Sequence, residues 1–284
     1  MKATITDIKP MAIHDGPGIR TTVFFKGCSL RCLWCHNPET LSPAPQLAFY
    51  ENKCRSCLAC TKVCAAHKVI DGQHRFDRSL CIACGRCVEV CPAGALQLFG
   101  REVTVEQLLP RLLEDRPFYG NTGGGVTLSG GECLLQADFC AALLAALKNE
   151  GIHTAVDTCG FVPRKAFEKV LPYTDIFLFD IKAMDSGVHK SCTGQENGII
   201  LENIRYLDSV GANMEFRVPF VPEKNSAEIP AIGAFLKTLS RRYPVKLLPY
   251  HNYAGSKYAA LGMENTLPEK LPTAEELANG ERLL

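Results

Sequence analysis

Two features that would indicate a membrane or secreted protein are missing from this sequence of 284 residues. No stretch approaches the roughly 18 consecutive apolar residues that a membrane-spanning helix needs. The first residues, MKATITDIKPMAIHDGPG, contain neither an apolar run of signal-peptide length nor a small-residue cleavage site. We therefore expect a soluble, cytoplasmic protein that has no membrane partner.

The sequence also lacks an excess of charge of either sign. It has 31 Lys and Arg residues against 30 Asp and Glu residues, which gives a formal net charge of +1. Nucleic-acid-binding proteins usually carry a basic stripe, so this balance predicts no nucleic-acid partner. Hydrophobic residues make up 46% of the chain and charged residues 21%, which is typical of a globular protein with one sizeable core and room for a small appended domain.

Cysteine is the residue type that the sequence has in abundance, with 15 copies, most of them clustered. A chain of this length does not need disulfide bonds for stability, and in a reducing compartment clustered cysteines more often bind metal. The stretch KGCSLRCLWCHNPE contains a Cys-x3-Cys-x2-Cys triplet formed by Cys28, Cys32 and Cys35. Closed zinc sites and ordinary iron–sulfur clusters take four ligands, so the triplet is one ligand short.

Two longer runs have the Cys-x2-Cys-x2-Cys-x3-Cys spacing of bacterial ferredoxins. In that pattern, three cysteines of each run hold one 4Fe-4S cluster and the fourth crosses to the other cluster. The cysteines predicted to hold the first cluster are Cys54, Cys57, Cys60 and Cys91. The cysteines predicted to hold the second cluster are Cys64, Cys81, Cys84 and Cys87. Paired zinc knuckles are the alternative, but they need a different spacing.

No cysteine of these two runs is left over to complete the triplet. The remaining four, Cys133, Cys140, Cys159 and Cys192, are isolated along the chain, and we interpret them as free thiols. Three thiolates hold three irons of a cubane cluster and leave the fourth iron open. The triplet therefore predicts a third 4Fe-4S cluster with a site for an exogenous ligand.

Short β-rich segments alternate with helical patterns along the chain. The predicted strands span residues 21–25, 125–128, 153–156, 175–181, 214–220 and 245–248. The predicted helices span residues 105–115, 138–151, 164–170, 198–210 and 227–241. A capping box of Thr104 and Gln107 begins the first helix, and Gly151 ends the second. The alternation predicts an α/β fold with parallel strands.

Polar residues lie at the carboxyl ends of the predicted strands, where the loops of a β/α barrel converge, except that Arg217 lies on the fifth strand itself. They comprise the cysteine triplet, the SGGE sequence at 129–132, Asp157, Thr158, Asp180, Lys182, Arg217 and His251. Each has a structural explanation when taken alone, such as a turn or a rim ion pair. Their common position favours one shared site.

The segment CSLRCLWC resembles the signature of radical S-adenosylmethionine (SAM) enzymes, and the whole chain resembles the activating enzymes of glycyl radical enzymes. The matching segments are DGPGIRTTVFFKGCSLRCLWCHNPET, GGGVTLSGGE, DTCGF, DIK and LLPYH. The resemblance implies a partial (β/α)6 barrel over residues 1–43 and 101–284. Residues 44–100 would be a ferredoxin-like insertion that binds two 4Fe-4S clusters.

The same resemblance implies that SAM is the missing ligand, bound to the open iron through its amino and carboxylate groups. The residues that would contact SAM are Trp34, Cys35, His36, Gly130, Gly131, Glu132, Asp180, Ile181, Lys182, Arg217 and His251. Gly130 and Gly131 would let the backbone approach the amino group, and Glu132 would pair with it. Lys182 and Arg217 would steady the carboxylate or the ribose. A monovalent cation is implied at Asp157, Thr158 and Asp180.

The implied activity is one-electron cleavage of SAM at the triplet cluster, with Cys28, Cys32 and Cys35 as the catalytic ligands. The resulting 5'-deoxyadenosyl radical would take a hydrogen atom from a glycine of a partner glycyl radical enzyme. Asp15 would contact the partner's glycine loop or shape its own turn. The two ferredoxin clusters would carry electrons from flavodoxin or ferredoxin, or support docking. A radical SAM enzyme for a small molecule is the main alternative, and a simple electron carrier would leave the triplet without a purpose.

Overall fold

A computed structural model describes residues 1–284 of the chain. The strands are β1 (Lys2–Ala12), β2 (Arg20–Phe25), β3 (Gln46–Phe49), β4 (His67–Ile70), β5 (Gln73–Phe76), β6 (Leu96–Phe99), β7 (Arg101–Thr104), β8 (Gly125–Gly130), β9 (His153–Thr158), β10 (Ile176–Asp180), β11 (Met214–Phe220) and β12 (Val245–Pro249). The helices are α1 (Arg86–Glu89), α2 (Val105–Leu113), α3 (Arg116–Thr122), α4 (Ala137–Asn149), α5 (Arg164–Val170), α6 (Ser186–Thr193), α7 (Gly198–Ser209), α8 (Ile229–Leu236), α9 (Gly255–Leu261) and α10 (Ala274–Leu283). None of these helices has the length and apolar character that crossing a membrane requires.

Eight strands form one sheet in the order β12-β11-β10-β9-β8-β2-β1-β7. The six predicted strands are all present, and they pair in parallel and in chain order. Helices connect them, as parallel pairing requires. The sheet ends at β12 on one side and at β7 on the other, so it does not close. This mostly parallel, open arrangement is consistent with a partial barrel.

Side chains along the parallel strands alternate between the core and a polar interior. Leu128 and Phe216 belong to a core of 37 buried residues that packs the sheet against α2, α4, α5, α7 and α8. The next residues, Ser129 and Arg217, line a cavity on the other face. The alternation therefore places apolar residues against the helices and functional groups inside the open barrel.

Two strands of the sheet, β1 and β7, lie outside the predicted elements. β1 pairs antiparallel with both β2 and β7. Its ladder with β2 shifts register between Ile5 and Asp7 and again between Lys9 and Ala12, and Met11 has a φ of 57°. These bulges break the two-residue alternation that would reveal a strand in the sequence, and β7 has only four residues.

The predicted start of α2 and the predicted end of α4 are confirmed, whereas the predicted end of α8 is wrong. Thr104 and Gln107 form the capping box of α2, and α4 ends at Asn149, before Gly151 with its φ of 70°. Helix α8, predicted to reach residue 241, ends at Leu236. Beyond it the Thr238 hydroxyl donates to a helix carbonyl, and the following segment is held to α7 by hydrogen bonds to Asp208.

Residues 44–100 contribute two small antiparallel sheets, β3 with β6 and β4 with β5. A small core that includes Leu47 and Phe49 holds this segment together. The guanidinium of Arg78 donates to the carbonyl of Leu47 at 3.0 Å and to that of Ala260, in α9, at 2.6 Å. Helix α9 thereby fastens the segment to the rest of the molecule.

Candidate active site and cysteine clusters

A cavity of about 760 Å³ opens at the carboxyl ends of the six parallel strands. Its wall includes Asp15 and the predicted site residues Cys28, Cys32, Trp34, Cys35, His36, Gly130, Gly131, Asp157, Thr158, Asp180, Lys182, Arg217 and His251. Of the predicted SAM contacts, Glu132 and Ile181 are not part of this wall. The structure therefore brings most of the predicted residues together at one place.

The cysteine triplet lies in the loop after β2, which backbone hydrogen bonds hold in shape. The N–H of Cys28 donates to the carbonyl of Leu41 at 3.2 Å, and that of Cys35 to the carbonyl of Cys32 at 3.1 Å. Burial raises the pKa of Cys32 to about 11 and that of Cys35 to about 12. Both thiols therefore stay protonated in the absence of a metal. Iron binding would displace the two protons. Three convergent thiols in a cavity wall fit an iron cluster with one open iron.

Two glycines let the loop after β8 pack directly against the segment that leads to the triplet. Gly130 has a φ of 120°, and a Cβ added to it would lie 2.2 Å from the nitrogen of Phe25. A Cβ on Gly131 would lie 2.3 Å from the carbonyl oxygen of Gly27, next to Cys28. Any larger residue at either position would push the two loops apart.

We expect Gly131→Ala to lower the free energy of unfolding by about 1 to 3 kcal/mol, the usual cost of overpacking. The added methyl group would meet the backbone of Gly27, which cannot move aside as a side chain can. Gly120→Ala is the matched control, because nothing lies within 4 Å of its Cβ position and Gly120 is within α3. Chemical unfolding measures both variants. Equal stability of the two would show that the loops are not in this close contact.

Glu132 is fully buried and binds the neighbouring loop. Its Oε1 accepts a hydrogen bond from the N–H of Leu134 at 3.0 Å. Its Oε2 accepts from the hydroxyl of Thr158 at 2.8 Å, and from the N–H and the thiol of Cys159 at 2.9 and 3.0 Å. Burial raises the pKa of Glu132, but all four partners are donors, which is the arrangement that an ionised carboxylate needs. In this structure the side chain ties the loop after β8 to the loop after β9.

Five charged side chains meet in the cavity wall. The ammonium of Lys182 donates to Asp180 at 2.8 Å, and the guanidinium of Arg217 donates to Asp157 at 3.1 Å and lies 4.0 Å from Asp15. Burial alone would lower the pKa of Lys182 and of Arg217, but the nearby carboxylates raise both above their usual values. With Lys246, which also lines the wall, three cations face three carboxylates, so the wall offers counter-charges to both the cationic and the anionic groups of a ligand.

An aromatic stack forms another part of the wall. The rings of His36 and His251 are parallel, with centroids 4.0 Å apart, and Tyr253 lies 4.6 Å from His251. Burial lowers the pKa of His36, and its Nε2 donates to the carbonyl of His251 at 2.6 Å. Flat rings of this kind can pack against the base of a nucleoside.

The other eight predicted cluster ligands gather around two separate cavities. One cavity is lined by Cys54, Cys57, Cys60 and Cys91. The other is lined by Cys64, Cys81, Cys84 and Cys87. These are the two sets that the crossing pattern predicts, and each has the ligand number of a 4Fe-4S cluster.

Two residues at these sites were not assigned there by sequence reasoning. Cys159, interpreted as a free thiol, lines the main cavity, where its thiol donates to Glu132. Its position directly after Thr158, at the end of β9, is the sequence signal that points to it. His74 lines the cavity of the first ferredoxin set, and no spacing signal connects it to those cysteines. The isolated cysteines Cys133, Cys140 and Cys192 are free and buried elsewhere.

Known proteins share both the fold and the sequence of this chain. The model of the radical SAM superfamily matches residues 22–236, and the chain belongs to that superfamily. The trans-4-hydroxy-L-proline dehydratase activating enzyme of Clostridioides difficile is 38% identical over 291 residues, which cover 100% of this chain and 96% of the relative. The choline trimethylamine-lyase activating enzyme of Oleidesulfovibrio alaskensis is 42% identical over 275 residues, which cover 93% of this chain and 88% of the relative. Within the superfamily, the chain belongs to the activating enzymes of glycyl radical enzymes.

A more distant structure supports the fold alone. Streptococcus suis SuiB, in its complex with the precursor peptide SuiA, is 14% identical to this chain. The TM-score is 0.50, and the match covers 90% of this chain and 42% of SuiB. The architecture is thus shared more widely than the sequence.

Proposed function

We propose that this protein is an oxidoreductase that activates a partner glycyl radical enzyme by means of SAM bound at the triplet cluster. The observation that carries the proposal is the meeting of three thiols, two histidine rings and a charged wall in one open cavity. When bound and reduced, the cluster supplies the electron that cleaves SAM to methionine and a 5'-deoxyadenosyl radical, which takes a hydrogen atom from a partner glycine. The protein's own residues supply the ligands, the orientation of SAM and the exclusion of water.

The wall offers a partner for each part of SAM. Cys28, Cys32 and Cys35 hold the cluster and leave one iron for the amino and carboxylate groups. His36 and His251 pack against the adenine, and Trp34 lines the same cavity. The backbone at Gly130 and Gly131 meets the amino group, while Lys182 and Arg217 face the carboxylate or the ribose.

A monovalent cation would bind at Asp157, Thr158 and Asp180. Asp157 accepts from Arg217 and, at 2.6 Å, from the hydroxyl of Ser129. Asp180 accepts from Lys182. The carboxylates of Asp157 and Asp180 line the same cavity, which supports a cation here, bound beside SAM.

The open side of the cavity would admit the glycine loop of the partner. The HDGPG turn stands at this opening, where Ile13 is 65% exposed and Asp15 is in the wall. The carboxylate of Asp15 accepts from the hydroxyl of Thr22 at 2.7 Å. Asp15 would therefore both shape its own turn and meet the incoming backbone.

Residues 44–100 would form a ferredoxin-like insertion that carries electrons from flavodoxin or ferredoxin to the triplet. Helix α9 supports this role because it contacts both the insertion and the loop that contains the triplet. Arg78 of the insertion donates to the carbonyl of Ala260, and the hydroxyl of Tyr258 donates to the carbonyl of Cys35 at 3.0 Å. The insertion and the triplet are thus packed against the same helix.

The decisive test is a glycine-centred radical on the partner, measured by electron paramagnetic resonance. The protein is mixed without oxygen with SAM, a strong reductant and the glycyl radical enzyme encoded beside it. We expect the radical on the partner, and we expect deuterium from glycines labelled at Cα to appear in 5'-deoxyadenosine, because hydrogen abstraction is direct.

A partner whose radical-site glycine is replaced by alanine is the matched control and should give neither signal. Transfer of deuterium from a labelled metabolite, with no radical on the partner, would favour a small-molecule substrate instead.

A further inference from the structure

The two ferredoxin cluster sites are built by an internal repeat of 27 residues. The paired cysteines are Cys54 and Cys81, Cys57 and Cys84, Cys60 and Cys87, and Cys64 and Cys91. The backbone repeats as well, because Ser56 and Ala83 have φ values of 52° and 51°. Their N–H groups donate to the sulfur atoms of Cys54 and Cys81 at 3.5 and 3.4 Å. Each site is therefore an internal control for the other.

The repeat extends to the strands that precede the cysteine runs, and there the two sites differ. Strands β3 and β5 begin at Gln46 and Gln73, which are also 27 residues apart. Leu47 in β3 lines the cavity of the second cysteine set, and its counterpart His74 in β5 lines the cavity of the first. One cluster site thus faces an apolar side chain where the other faces an imidazole.

Both ring nitrogens of His74 lie near sulfur atoms of the first set. Nδ1 is 3.8 Å from the sulfur of Cys54, and Nε2 is 3.4 Å from that of Cys60. Nε2 is also 2.9 Å from Nδ1 of His67, so when Nε2 accepts a hydrogen bond from His67, the proton of a neutral His74 ring is on Nδ1 and faces the sulfur of Cys54.

Two neighbours fix the ring of His74 in this position. Nδ1 of His67, which is only 3% exposed, lies 2.9 Å from Nε2 of His74. The ring of Phe49 packs against His74 edge to face, with the centroids 5.0 Å apart. His74 is therefore held over the thiols by buried side chains, as a tuning group must be.

We propose that His74 donates a hydrogen bond to a ligand thiolate of the cluster on Cys54, Cys57, Cys60 and Cys91, which raises the reduction potential of this cluster above the value it would have with a leucine at this position. A donor near a ligand sulfur stabilises the extra negative charge of the reduced cluster and so raises its potential. Leu47 offers the second cluster no such donor. The proposal rests on the two-cluster part of the proposed function.

The test is a redox titration followed by electron paramagnetic resonance. It uses the full chain with Cys28, Cys32 and Cys35 replaced by Ala, so that only the two ferredoxin clusters contribute. His74→Leu gives the first site the leucine that the second site has at the equivalent position. We expect this substitution to lower the reduction potential of one cluster by about 59 mV, which for one electron is about a tenfold change in the ratio of reduced to oxidised cluster. The reduction potential of the other cluster should stay unchanged.

Two further variants separate hydrogen bonding from packing. His74→Gln keeps an N–H donor and should retain most of the wild-type potential. Leu47→His places a donor at the second site and should raise the potential of the cluster that His74→Leu leaves unchanged. A structural role alone would not give shifts of opposite sign at the two sites.

Iron content separates failure of this inference from failure of the proposed function. A parent chain with fewer than about eight irons would overturn the two-cluster assignment itself. If eight are present but the potentials do not move in His74→Leu, or both fall together, the role of His74 is overturned. Loss of about four irons in both the Leu and the Gln variant would make His74 an iron ligand, which also overturns the hydrogen-bond proposal.

Discussion

Replacing Cys28, Cys32 and Cys35 together by Ala is expected to abolish SAM cleavage and to remove about four of about twelve irons per chain. The three thiols are the only cysteines of the triplet loop, and no residue of the ferredoxin sets lines the same cavity. The eight irons of the other two sites should stay, because their cysteines surround separate cavities. Iron analysis, visible absorbance and the yield of 5'-deoxyadenosine measure the three effects.

Cys140→Ala is the matched control for the loss of a cysteine. Cys140 is fully buried in the main core within α4, away from all three cavities. Its replacement should leave the iron content and SAM cleavage intact. A triplet variant that still forms 5'-deoxyadenosine at the normal rate would show that the radical chemistry takes place elsewhere.

The spacing of residues along the chain predicts those parts of the molecule that depend on local pattern. The crossing rule for ferredoxin cysteines needs only their separation, and it assigns the same two sets that surround the two cavities. The six parallel strands are predicted because buried β-rich segments stand out between helices. Strand β1 is not predicted, because its bulges interrupt the alternation on which recognition depends.

The direction and the surroundings of single side chains depend on contacts distant in sequence. Glu132 follows two glycines that line the cavity, yet its carboxylate binds donors in the loop after β9. Gly130, with a φ of 120°, redirects the chain just before it, and the two glycines alone do not indicate the direction of that turn. His74 reaches its cysteines only because β5 lies beside the first run, with a turn at Asp71 and Gly72 that pairs it with β4.

Glu132→Ala is expected to give the second large effect, a fall of several kcal/mol in the free energy of unfolding. The substitution leaves the N–H groups of Leu134 and Cys159 without an acceptor in a fully buried place. At about 1 to 3 kcal/mol for each unsatisfied donor, these two groups alone cost about 2 to 6 kcal/mol. Glu202→Ala, on an exposed position of α7, is the control. Chemical unfolding measures the two variants side by side.

Glu132→Gln distinguishes a structural carboxylate from one that pairs with SAM. Glutamine keeps the volume of the side chain but replaces one acceptor oxygen by an NH2 group, which is a donor. Because every neighbour of the carboxylate donates, either orientation of the amide sets a donor against a donor, and much of the stability should be lost. If Glu132→Gln instead unfolds like the wild type while its affinity for SAM falls, the charge of Glu132 serves the ammonium of SAM, as the family resemblance implies, and the ring of donors is secondary.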